Sequence, residues 1–283
     1  MRNSYLLSGM KKYRFLILVS IAISFQTVVN AASADTISVY SKALHKNSKC
    51  VIIIPKSYKN SNKSFPVVYL LHGYSGNYSD WIQKVPELKN YADEFQMLIV
   101  CPDGHYNSWY VDSPVDSAIK YDTYISTELP HFIDSAFHTI AERNFRAITG
   151  LSMGGHGALS LAWKHPDIFG ACGSMSGVED ISPWKTKYEL TEVLGDTLHN
   201  NNFYNYSVVN LVKKIPEQIP AIIFDCGIND PFIKTNRQLH AELEELKIPH
   251  DYIERNGTHN WDYWSNAVSY QLLFFHKFFQ KNH

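Results

Sequence analysis

A serine set between glycines is the first place in this chain where chemistry could start. Gly150-Leu151-Ser152-Met153-Gly154 follows an apolar run at 145–149 that reads as a strand. It precedes a segment at 156–164 that reads as a helix, stopped by Pro166. G-x-S-x-G alone is common. Between a strand and a helix it describes a turn so sharp that flanking side chains would clash, so glycine is needed on both sides. The turn lifts the hydroxyl out of the sheet, and the helix N-terminus favours negative charge developing beside it. Ser152 is therefore the candidate nucleophile.

A serine hydroxyl is a poor nucleophile without a base. Where this turn occurs, the acid and then the histidine follow the serine in chain order. His259 lies just past the last strand-like run, after the tight-turn pair Asn256-Gly257. His250 begins that run and His276 falls on the final helix, so both are worse placed. Two acids precede it in Asp225-Cys226-Gly227-Ile228-Asn229-Asp230. Asp225 is inside an apolar run, whereas Asp230 is in the loop beyond Gly227, and the reading favours Asp230. Its job is to hold the imidazole tautomer and stabilise imidazolium. A negative oxygen developing on a substrate needs two convergent N–H donors. The Met153 amide is one. Tyr74, in Leu71-His72-Gly73-Tyr74-Ser75-Gly76, supplies the other, with Gly73 as the fallback. His72 is expected to brace that loop by hydrogen bonding. Aromatics gather nearby in sequence: Trp109 and Tyr110, then Trp261, Tyr263 and Trp264. Trp109, Tyr110 and Trp261 are candidate substrate-binding residues for an aryl or sugar group, and packing is an equal alternative.

These residues need a frame. Short runs rich in Val and Ile recur at 37–40, 50–54, 67–71, 97–101, 145–149, 171–175, 221–226 and 250–254. Several are almost wholly apolar, as strands buried on both faces are. Helical spacing appears between them, at Ile125, Leu129, Phe132 and Ile133, and at Leu239, Leu243 and Leu246. The alternation predicts an α/β fold, a mostly parallel eight-stranded sheet with helices on both faces. Residues 35–283 read as a single domain. The polar, aromatic segment 178–216 reads as a cap or as ordinary surface structure.

The chain has 283 residues, 45% hydrophobic and 19% charged, enough to bury a sizeable core. Residues 1–34 read as a signal peptide: Lys11, Lys12 and Arg14, then an apolar stretch over 15–29, then Ala32-Ser33-Ala34 as a small-residue cleavage pattern. The apolar stretch is short for a membrane span. The expectation is export to the periplasm or beyond, with no stable membrane insertion once the segment is removed. The formal charge of −1 includes Arg2, Lys11, Lys12 and Arg14 and no acid in those 34 residues. Without them the chain is mildly acidic, which gives no reason to expect nucleic acid as a partner. Four Asn-x-Ser/Thr triplets start at Asn62, Asn77, Asn205 and Asn256. A glycan at Asn256 would crowd His259, which favours a bacterial-type export route in which they go unused. Cys50, Cys101, Cys172 and Cys226 each sit in an apolar run and read as buried thiols. No Cys/His cluster suggests a metal, and no cofactor is expected.

In combination, these pieces resemble the esterase D and feruloyl esterase family, a carbohydrate-esterase-like branch of the α/β-hydrolases. Tributyrin esterases, S-formylglutathione hydrolases and mycolyltransferases also belong to it. The matching pieces are Leu71-His72-Gly73-Tyr74-Ser75-Gly76-Asn77 with Trp81, the stretch from Gly150 to Leu159, Cys226-Gly227-Ile228-Asn229-Asp230, and His259-Asn260-Trp261 with Trp264. The resemblance implies an α/β-hydrolase fold, Ser152, Asp230 and His259 as a triad, and the Tyr74 and Met153 amides as an oxyanion hole. It implies a serine carboxylesterase acting on short-chain or hydroxycinnamoyl and acetyl esters, with a small-molecule or saccharide ester as partner. The runner-up is an S-formylglutathione hydrolase-like thioesterase or an acyltransferase. Two departures weigh against these subgroups: S-formylglutathione hydrolases usually carry a different oxyanion loop, and mycolyltransferases usually pair the histidine with glutamate.

Overall fold

The computed structural model describes residues 32–60, 62–196 and 202–282. All but the last three residues of the stretch read as a signal peptide lie outside the described residues.

All eight predicted runs are strands: β1 (Ser33–Ser41), β2 (Lys46–Ile54), β3 (Val67–Leu71), β4 (Leu98–Pro102), β5 (Arg146–Gly150), β6 (Ala171–Met175), β7 (Ala221–Gly227) and β8 (Asp251–Arg255). They form one sheet in the order β1-β2-β4-β3-β5-β6-β7-β8. The β1–β2 and β2–β4 pairs are antiparallel and the rest parallel. Tyr69 in β3 pairs with Val100 on one side and Ile148 on the other. This is the architecture of an α/β-hydrolase.

The helices are α1 (Asp80–Lys84), α2 (Leu88–Phe95), α3 (Tyr121–Thr123), α4 (Leu129–Ala136), α5 (Met153–Lys164), α6 (Leu190–Leu194), α7 (Asn202–Tyr206), α8 (Val208–Leu211), α9 (Ile233–Glu245) and α10 (Trp261–Lys281). The apolar runs in the central strands follow from the layering. Side chains alternate across a strand, so Val67, Tyr69 and Leu71 enter one core while Val68 and Leu70 enter the other. The first core takes Leu129 and Ile133 of α4, Leu159 and Leu161 of α5, and Leu239 and Leu243 of α9. The second takes Leu88 and Ala92 of α2 and Val268, Leu272 and Phe275 of α10. With both faces covered, polar alternation within these strands would strand polar groups in apolar surroundings.

The sheet decides where chemistry can sit. β3 and β5 are neighbours although β4 lies between them in sequence, so the chain reverses its direction of sheet growth there. Open α/β sheets leave a crevice outside the C-terminal ends of the strands at such a point. Residues 72–76 follow β3, Ser152 follows β5, Asp230 follows β7 and His259 follows β8.

All four cysteines are free and buried, and burial pushes their thiols up. Among the described residues no helix is long and apolar enough to cross a membrane. β1 begins at Ser33, and Ser33 and Ala34 pair with Ile54 and Ile53. The small-residue pattern at 32–34 is thus partly sheet.

Candidate active site

Ser152 sits between the end of β5 and the start of α5 with φ 54° and ψ −118°. A non-glycine residue in this region is strained by about 1–3 kcal/mol and persists only where its surroundings over-determine it. Here they do. Ser152 N–H donates to Met175 O (2.9 Å), Leu151 N–H to Leu71 O (3.3 Å) and Gly154 N–H to Leu151 O (2.7 Å). A Cβ on Gly150 would lie 2.7 Å from Leu71 O, and one on Gly154 2.5 Å from His72 O. Both glycines are steric requirements of the turn, as the motif predicts.

His259 reaches the serine from the loop after β8. Its Nδ1–H donates to Asp230 Oδ2 (2.8 Å), which leaves Nε2 to accept from the Ser152 hydroxyl (3.0 Å). The other Asp230 oxygen accepts from Phe232 N–H (2.8 Å), so the carboxylate is held at both ends. The loops after β7 and β8 are laced together: Ile228 N–H donates to Arg255 O (2.9 Å) and Asn229 N–H to Gly257 O (3.0 Å). Gly257 has φ +150°, which favours glycine. The rings of Phe232 and Trp264 stand 4.9 and 4.8 Å from the imidazole, on which they meet at steep angles. Asp225 is elsewhere engaged. It is wholly buried, accepts from Arg255 (3.1 Å) and Gln271 (2.8 Å), and burial pushes its pKa up against the pull of Arg255.

The loop after β3 closes on the serine from the other side. A Cβ on Gly73 would meet Leu151 Cδ1 at 2.6 Å and Ser152 Cβ at 3.5 Å. The N–H groups of Met153 and Tyr74 donate to no protein acceptor among the described residues, and neither does that of Gly73. His72 is buried behind them as a neutral brace. Its Nδ1–H donates to Gly73 O (2.8 Å), its Nε2 accepts from Gly104 N–H (2.7 Å), and burial lowers its pKa.

These parts open into a cleft of about 290 Å³. Of the three aromatics singled out in the sequence, two line it. Trp261 does so with its ring edge on Trp81 and Trp264. Trp109 does so while only 2% exposed. Tyr110 does not, contrary to the expectation that it binds substrate. It is fully buried, its ring fills the space left by Gly104 and Gly157, and its hydroxyl donates to His72 O (2.9 Å). It is a brace for the β3 loop. Trp109 and Tyr110 both have left-handed backbone, which sends neighbouring side chains in directions no strand or helix period predicts.

Segment 178–216 is more wall than lid. Val178 and Tyr188 reach the cleft, while Ile181, Leu190, Val193, Val208 and Val212 are buried in the core. Residues 197–201 lie outside the described residues. The sequence reading missed Tyr188, Phe232 and Val178 in the cleft lining. Phe232, two residues after Asp230, was the only one with a local signal. It also missed three buried polar side chains behind the wall. His156 donates to Val178 O (3.0 Å), Asn236 to Gly177 O (2.8 Å), and Glu179 accepts from Ser174 (2.6 Å). Burial lowers the His156 pKa to about 4 and raises that of Glu179 to about 7. Among the described residues no group of three or more His, Cys, Asp or Glu is gathered to hold a metal.

Comparison with known proteins gives this geometry a context. Residues 41–275 match the family model described as "Putative esterase". An acetyl esterase of Caldicellulosiruptor saccharolyticus is 28% identical over 261 residues, covering 82% of this chain and 94% of that protein. An esterase of Mycobacterium tuberculosis is 31% identical over 235 residues, 74% of this chain, and the match spans about half of that protein's length (51%). Among solved structures a ferulic acid esterase is 27% identical with a TM-score of 0.76, covering 88% of this chain and 99% of that one.

Proposed function

Since the chain belongs to the esterase family and is a carboxylic ester hydrolase, we propose that it works as an exported serine esterase. The observation that carries the mechanism is the unbroken hydrogen-bonded series from Asp230 through His259 to a strained, cleft-facing Ser152. In this reading the Ser152 oxygen attacks the ester carbonyl while His259 Nε2 takes its proton. The carbonyl oxygen, now negative, is held by the Tyr74 and Met153 amides, which have no other protein acceptor among the described residues. His259 then returns the proton to the departing alcohol, leaving an acyl-Ser152 ester. Water, deprotonated by the same imidazole, attacks this ester, and the imidazolium returns the proton to the departing Ser152 oxygen as the acid is freed. Asp230 stays ionised throughout, fixing the tautomer and stabilising imidazolium.

The substrates in this reading are short-chain or hydroxycinnamoyl and acetyl esters of carbohydrates. Support comes from the acetyl esterase and ferulic acid esterase relatives and from the aromatic lining of the cleft, on which a sugar face or planar acyl group can stack. Export rests on the basic, apolar and small-residue order of residues 11–34. Processing ahead of Ser33 leaves β1 whole, whereas processing after Ala34 removes its first two pairs. Sequencing the mature N-terminus checks this, and a mature chain still beginning at Met1 or Met10 overturns it.

The mechanism is tested with Ser152→Ala. A fluorophosphonate probe is expected to label the wild type at Ser152 and to leave the variant unlabelled. Turnover of nitrophenyl acetate and of an acetylated xylooligosaccharide is expected to fall about 10⁴-fold or more. A folded Ala variant with near-normal turnover overturns the reading.

A further inference from the structure

His259 divides the aromatic lining of the cleft. On one side Phe232 leads to Tyr188 (6.3 Å between ring centres) and Tyr188 to Trp109 (6.4 Å). On the other, Trp264 leads to Trp261 (5.5 Å), whose ring touches Trp81, the neighbour of Asp80. The two sides differ in polarity. The Tyr188 side is walled by Trp109, Val178 and Phe232. The Trp261 side carries the Asp80 carboxylate, which lines the cleft next to Trp81. Each Asp80 oxygen takes one hydrogen bond from Asn77 and keeps capacity for another. Sugar hydroxyls moved out of water need such partners, and an acyl chain needs none. The alcohol therefore belongs on the Asp80 side and the acyl group on the Tyr188 side.

Tyr188 occupies the middle of its side. Its ring touches those of Tyr74 (5.5 Å), Trp184 (6.0 Å), Phe232 and Trp109. These four rings pack on it tilted or edge-on, at interplanar angles of 70°, 49°, 61° and 57°, so an acyl group entering this side meets a ring already hemmed in by its neighbours. The ring is also clamped. Tyr188 and Glu189 both have left-handed backbone (φ 54° each), a strained pair without glycine. Two hydrogen bonds from one loop hold the turn: Trp109 Nε1–H donates to Tyr188 O (3.2 Å), and Asn107 Nδ2 donates to Glu189 Oε2 (2.7 Å). Asn107 is itself oriented by His105, whose Nδ1–H donates to Asn107 Oδ1 (3.1 Å).

We propose that Tyr188 is the residue that sets acyl size, filling the apolar side of the cleft so that it takes an acetyl group and turns away hydroxycinnamoyl and longer chains, with Asn107 as the positioning residue that keeps it there. This rests on the esterase reading above and selects among its substrates.

The experiment compares kcat/KM for nitrophenyl acetate, butyrate and ferulate in wild type, Tyr188→Ala, Tyr188→Phe and Asn107→Ala. The wild type prefers acetate. Tyr188→Ala raises the butyrate-to-acetate and ferulate-to-acetate ratios by about tenfold or more, the scale on which pockets discriminate small apolar groups. Tyr188→Phe keeps the ratios within about twofold, because the ring and not the hydroxyl fills the space. Asn107→Ala, outside the cleft lining, moves the ratios in the same direction by less, with its thermal midpoint recorded as a folding control. Unchanged ratios in a folded Tyr188→Ala, or an equal loss on all three esters, overturn the proposal. So does a variant whose preference shifts with the alcohol at constant acetyl and not with the acyl group. A wild type inactive on every ester would instead count against the serine-esterase reading itself.

Discussion

Asp225 and Asp230 stand five residues apart at the end of β7, yet they serve different partners. Asp230 accepts from the His259 imidazole at 2.8 Å, while Asp225 is buried against Arg255 at 3.1 Å and Gln271 at 2.8 Å. The difference separates chemistry from stability. Asp230→Asn should leave the fold intact and lower kcat by several thousand-fold, because an amide cannot hold the tautomer that leaves Nε2 free to accept a proton. Asp225→Asn should retain most of kcat but lose about 3 kcal/mol of stability, since it leaves Arg255 facing a neutral group in a largely buried place. Kinetics and urea unfolding on both variants check this, and the reverse ranking would remove Asp230 from the proposed triad.

Glu179 should make stability fall as pH rises. Burial lifts its pKa from 4.5 to about 7, with the Ser174 hydrogen bond pulling the other way. Below pH 4.5 the carboxyl is neutral in both folded and unfolded chains, and there is no penalty. Between 4.5 and 7 the unfolded chain releases the proton while the folded one keeps it. Above pH 7 the loss is complete, about 3 kcal/mol at most. Glu179→Gln stays neutral at every pH and keeps an oxygen for the Ser174 hydroxyl. Its stability relative to wild type should therefore grow from pH 5 to pH 8. A gap that stays constant over that range would mean the carboxyl is not held neutral.

Trp261 tests the alcohol side of the cleft. It lines the cleft with its ring braced by Trp81 at 5.2 Å. Trp261→Ala should raise KM for an acetylated saccharide about five- to tenfold, the scale of a lost aromatic contact. KM for nitrophenyl acetate should change by less than about twofold. Equal changes in both would make Trp261 a packing residue.

The sequence by itself determined the parts whose geometry is local. The turn around Ser152 needs only a strand, two glycines and a helix, all within twenty residues, and a Cβ at Gly150 or Gly154 has nowhere to go. The almost wholly apolar runs among the eight announced a sheet whose central strands are covered on both faces, because such strands tolerate no polar alternation. Asp230 and His259 were legible because each follows a strand at the same end of the sheet. Tertiary structure decided what depends on surfaces meeting across long stretches of chain. Tyr110 and Trp261 are both aromatics beside the site in sequence, yet one is sealed behind the β3 loop and the other faces the cleft. Tyr188 takes its place only because a turn in segment 178–216 is caught by Asn107 and Trp109, about eighty residues earlier. The Glu179 pKa is raised only because the core closes around it, against the pull of the Ser174 hydroxyl. Periodicity records which face of an element is buried, not which distant element buries it, so no pattern within a single segment carries these three outcomes.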